Sequence, residues 1–99
     1  MSAISDLFKG IKKEIRQGYT NQDIWKLVGY AHRALKIGKS EQKPILIDVA
    51  SYVLGYVESL RYWRKNRSAS AALPAVKAKA VALLIFLNNL ESPTCSHLL

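Results

Sequence analysis

The sequence predicts an all-α protein, an antiparallel up-and-down four-helix bundle, and three observations predict it. Apolar residues recur at i, i+3, i+4 and i+7 through four separate stretches. Short breaks marked by Gly18, Gly38 and residues 66–70 divide those stretches, and short breaks imply antiparallel neighbours. No stretch alternates with the period of two that a half-buried strand requires. The expected helices cover residues 3–17, 21–37, 44–64 and 72–90, with residues 1–91 forming the bundle and 92–99 a flexible C-terminal tail.

In the first helix Ile4, Leu7, Phe8, Ile11 and Ile15 line one face and Lys9, Lys12, Lys13 and Arg16 the other. Ser2 or Ser5 can cap its start, and Gly18 is expected to end it in a left-handed conformation. Thr20 is expected to open the second helix, with Asp23 three residues on imitating a capping box, and Gly38 to close it. Its inner face is Ile24, Leu27, Val28, Ala31, Ala34 and Leu35.

Pro44 begins the third helix, where a missing amide hydrogen costs nothing. Its apolar arc is wide, taking in Ile45, Leu46, Val49, Ala50, Val53, Leu54, Tyr56, Val57 and Leu60, with only a narrow stripe of Asp48, Ser51, Gly55, Glu58 and Ser59 opposite. Such a helix belongs at the centre. Its β-branched residues invite a strand, but the run is too long and does not alternate. The fourth helix turns Leu73, Val76, Ala80, Leu83, Leu84, Leu87 and Leu90 inward and stops at Ser92-Pro93.

Composition excludes several classes. Ninety-nine residues at 49% hydrophobic suffice for one core and argue against disorder. A single cysteine, Cys95, cannot form an intrachain bridge and fits a reducing cytoplasm. Lys9, Lys12 and Lys13 interrupt what a signal peptide would need as an apolar run. Lys77, Lys79 and Pro74 break residues 69–87 as a membrane span, so a buried helix is expected there. Fifteen basic against seven acidic residues give a net charge of +8, spread over both halves, which favours anionic partners: nucleic acid, an anionic membrane surface or an acidic protein.

Nothing points to an enzyme. The seven carboxylates are scattered without an acid–base pair, and there is no phosphate-binding glycine loop or nucleophile motif. His32, at the border of its helix's apolar face, reads as structural. Cys95 and His97 would supply two metal ligands where four are usual, so no metal or cofactor is expected.

Two surfaces suggest partner binding. Arg61, Tyr62, Trp63, Arg64, Lys65 and Arg67 interleave cations with aromatics, a chemistry that contacts phosphates and stacks on bases or meets an anionic membrane. The plainer reading is a basic helix end favoured by the macrodipole, with Trp63 filling the end of the core and the cations solvated, so that replacing Arg61, Arg64, Lys65 and Arg67 leaves the fold standing. On the fourth helix Ala78, Val81, Ala82 and Ile85 lie opposite the core face, so either other helices wrap it or Val81 and Ile85 meet a partner.

The middle of the chain carries a resemblance. Ala31-His32-Arg33-Ala34-Leu35-Lys36-Ile37-Gly38-Lys39 followed by Pro44-Ile45-Leu46-Ile47-Asp48-Val49-Ala50-Ser51-Tyr52-Val53, a basic turn and a last helix with a loose tail resembles the immunity proteins for class II (pediocin-like) bacteriocins. The resemblance implies a basic cytoplasmic four-helix bundle. It also implies protection of the producer cell by blocking the bacteriocin on its membrane receptor, the mannose phosphotransferase permease, with specificity in the third and fourth helices and the tail. A peripheral place at the inner membrane face and a homodimer are compatible with it. The alternative from another class is a small basic nucleic-acid-binding or phage-type regulatory helical protein using the 61–67 cluster; a third is a structural or oligomeric helical module with no ligand.

Overall fold

The computed structural model describes residues 2–99. Among them the protein is all helical: α1 (Ala3–Arg16), α2 (Ile24–Ser40), α3 (Pro44–Lys65) and α4 (Ala72–Leu90), followed by a 3-10 turn at Ser96–Leu98 and without a strand. Helix α3 packs against both α2 and α4, while α1 rests mainly on α2 and touches α4 lightly. The particle measures 43 × 24 × 20 Å.

The expected stripes form one core. Leu7, Phe8, Ile11 and Ile15 from α1, Leu27, Ala31 and Ala34 from α2, Val49, Val53, Val57 and Leu60 from α3, and Val76, Ala80, Leu83 and Leu87 from α4 are buried together. Leu83→Ala should therefore cost roughly 2–5 kcal/mol in a urea titration, the range for emptying a filled leucine site. A loss below about 1 kcal/mol would mean that the α3–α4 contact is looser than described.

Helix ends differ from expectation in three places, each for a local reason. Ser2 caps α1 by accepting from the Ser5 amide at 3.0 Å, but α1 stops at Arg16 with Gln17 extended, and Gly18 does not take up a left-handed conformation. Helix α2 opens not at Thr20 but on Asp23, whose carboxylate accepts from the amides of Trp25 and Lys26. Nor does Gly38 close α2. The helix runs past it to Ser40, and the left-handed position falls on Gln42, with φ of 53°. The Lys43 amide then returns to the Gly38 carbonyl at 2.8 Å, the closing bond of a Schellman motif. Gly38 is needed for proximity instead: a Cβ there would stand 3.0 Å from both the Lys43 carbonyl oxygen and Ile47 Cγ1.

Two further residues sit elsewhere than expected. Leu54 is exposed because α2 and α4 flank α3 without covering its outer side. His32 is exposed as well. The C-terminal segment turns back so that Leu99 packs on the core, its main-chain oxygen accepting from the Lys43 ammonium.

Candidate functional site: the end of α3 and the outer face of α4

The basic–aromatic cluster divides into two groups of side chains with different work. Trp63 is 9% exposed and packs edge-on against Tyr19, with ring centroids 6.4 Å apart. Arg64 reaches inward, its guanidinium donating to the main-chain oxygens of Tyr19 at 2.8 Å and Gln22 at 2.6 Å. These two residues fasten the end of α3 to the loop between α1 and α2. They belong to the fold, and the expectation that Arg64 is a dispensable solvated cation is corrected by its two carbonyl partners. Arg61, Tyr62, Lys65 and Arg67 remain exposed.

Beneath them lies a polar network that sequence periodicity did not suggest. Gln22 is buried, donating to the carbonyls of Ile15 at 2.8 Å and Gln17 at 3.0 Å while its side-chain oxygen accepts from the Tyr56 hydroxyl. Glu14, also buried, accepts from the Asp23 amide. One signal was available. Glu14 lies three residues after Ile11, and Arg64 four after Leu60, so each continues its helix's apolar stripe, where a polar residue must find internal partners. Gln22 sits in a loop and offers no such sign.

Burial pushes the Tyr56 hydroxyl up to about 12. The folded state thus holds the neutral phenol more tightly than the unfolded chain. The resulting stability is present in full below pH about 10 and is lost as pH rises through about 12. Between pH 9 and 11 the protein should lose about 1 kcal/mol more stability than its Tyr56→Phe variant, measured by denaturant titration at each pH. Parallel curves would remove Tyr56 from the alkaline transition.

The second expected surface is where the periodicity put it. Val81 is 55% and Ile85 54% exposed on α4, with Ala78 and Ala82 also open. The expectation of a buried α4 holds for one face only. By length and composition α4 could cross a membrane, and 28% of that stretch is buried. Along its border with α3 runs a cleft of about 390 Å3 lined by Tyr52, Gly55, Lys79, Ala82 and Phe86 among others. Tyr52 and Phe86 meet edge-to-face across it at 4.7 Å.

No protein-family model, curated protein or solved structure matches the chain. Its chemistry must be read from its own residues.

A further exposed aromatic, which apolar periodicity does not single out, borders the basic cluster. Trp25, in the first turn of α2, is 75% exposed, and the Arg61 guanidinium carbon lies 5.5 Å from its ring centre. Apolar periodicity assigns Ile24 and Leu27 to the core and leaves Trp25 outside it, so the signal was an indole placed on a polar face. Arg67 covers the Trp63 ring at 4.8 Å. Among the described residues no three His, Cys, Asp or Glu side chains gather as a metal site would require.

Proposed function

We propose that this chain is an immunity protein of the class II bacteriocin type, which acts by binding and not by catalysis. In this reading the helices form an antiparallel up-and-down bundle, and the protein blocks the bacteriocin on its membrane receptor, the mannose phosphotransferase permease, from the cytoplasmic side. The observation that carries it is the uncovered apolar face of α4, Ala78, Val81, Ala82 and Ile85. That face offers a partner apolar surface to bury. The even basic charge supports an acidic or membrane-associated partner, and the resemblance through residues 31–53 supplies its kind.

The nucleic-acid alternative is less well supported, since Trp63 is packed against Tyr19 and Arg64 is spent on loop carbonyls. The test is expression of the full chain in a bacteriocin-sensitive strain challenged with a panel of class II bacteriocins. Survival against one or a few peptides is the expected outcome. Uniform killing across the panel, with the protein present and folded, would sink the proposal.

A further inference from the structure

We infer that the end of the molecule built by Trp25, Arg61 and Lys65 is a docking surface for an anionic lipid bilayer. It uses Trp25, which plays no part in the function proposed above, and stands independently of that function.

The argument begins with rigidity. Arg64 and Trp63 bind the last turns of α3 to the loop that leads into α2, and Asp23 fixes the first turn of α2 by capping the Trp25 and Lys26 amides. Trp25 therefore projects from a braced corner and not from a free loop. There it is 75% exposed, with the Arg61 guanidinium 5.5 Å from its ring centre. Lys65 follows Arg61 by one turn on the same side of α3, and Lys26, Lys65 and Arg67 are all open. Tyr62 is exposed on the neighbouring side of α3, toward Ala72 and Ala75 of α4. The acidic groups nearby are Asp23, engaged as the α2 cap, and Glu58, exposed one turn before Tyr62.

That combination has a specific chemistry. An indole ring, apolar in body and polar at one edge, settles at the level of lipid headgroups. Arginine and lysine pair with the phosphates there, and each cation close to an anionic leaflet adds to the attraction. The whole chain, at +8, is drawn the same way. A second copy is a poorer occupant, because joining two such ends would set their cations against each other. A single-stranded nucleic acid is poorer too: it asks for several stacking rings along a groove, and the other indole, Trp63, is buried.

The test uses purified full-length protein and vesicles of phosphatidylcholine with or without phosphatidylglycerol. Binding should occur with the anionic vesicles only and fall at least several-fold when salt is raised from about 0.05 M to about 0.5 M, which shortens the Debye length. Trp25 emission should shift to the blue and lose access to iodide on binding, read most cleanly in a Trp63→Phe variant. Should that variant fail to fold, co-sedimentation of the wild type carries the test alone. Trp25→Ser with Arg61→Gln should weaken binding about tenfold with helical content unchanged. Absence of binding to anionic vesicles overturns the inference, as does vesicle binding that the double variant leaves intact. So does burial of Trp25 by self-association or by an oligonucleotide in place of lipid. A chain that protects cells yet ignores vesicles keeps its immunity role and loses this surface alone; one that binds vesicles without protecting does the reverse.

Discussion

Arg64→Ala should destabilise the protein by about 3 kcal/mol, while replacing Arg61, Lys65 and Arg67 together by Gln should cost only about 1–2 kcal/mol. The four cations look alike in sequence, and the structure separates them. Arg64 makes two charged hydrogen bonds to main-chain oxygens in a half-buried setting, each of a kind that contributes roughly 1.5–3 kcal/mol. Its removal leaves the Tyr19 and Gln22 carbonyls without those donors in a region into which water enters poorly. One buried guanidinium nitrogen, Nε, has no partner, which offsets part of the gain. Arg61 and Arg67 lie over the rings of Trp25 and Trp63, and exposed contacts of that type are worth about 0.5–1 kcal/mol. Lys65 is exposed and contributes little. Paired urea titrations decide the matter. Equal costs for the single and the triple variant would mean that Arg64 is as solvated as its neighbours.

The second large effect concerns α4. Val81→Asp combined with Ile85→Asp should abolish protection in the survival assay while circular dichroism still reports a folded helical protein. Both side chains are more than half exposed in the monomer, so the folded state gives up little apolar burial when they change. Aspartate's helix propensity is close to that of valine and isoleucine, so the exchange itself adds at most about a few tenths of a kcal/mol per site. In a docked complex the same positions would place two carboxylates in an apolar contact, where the two lost side chains alone forfeit a few kcal/mol at ~25 cal/mol per Å2. That is a loss of two or more decades in affinity. Unchanged protection would free the α4 face from any role.

Much of this architecture is legible in the residues. Val53, Val57, Leu83 and Leu87 are buried as their spacing requires, because a 3.6-residue period leaves no ambiguity once a stretch is long enough. The boundaries were less legible for a physical reason. Thr20 and Asp23 are both good caps, and the chain uses Asp23, whose carboxylate takes the Trp25 and Lys26 amides while its own amide is held by Glu14. Gly38 looks like a terminator, yet the close approach of Ile47 explains it better. In the candidate site, the exposure of Val81 and Ile85 followed from counting positions around the helix. Arg64 continues an apolar stripe and Trp25 stands on a polar face, but the partners each one meets depend on which helix lies beside which, and a single sequence does not state that.

The three-residue connection between α2 and α3, closed by the Lys43 amide on the Gly38 carbonyl, has a consequence for how the chain acquires its shape. It joins the two helices that pack most extensively, so their mutual contacts form between segments already neighbours along the chain, with little loop-closure entropy to overcome. Folding should begin as an α2–α3 hairpin on which α4 and then α1 condense, at the rapid end of the scale for domains of this size. The same order runs backwards in the native protein. Amides in the middle of α3 should exchange with solvent most slowly and those of α1 sooner, since α1 rests mainly on one neighbour. Equal protection of α1 and α3 would show that the molecule opens only as a whole.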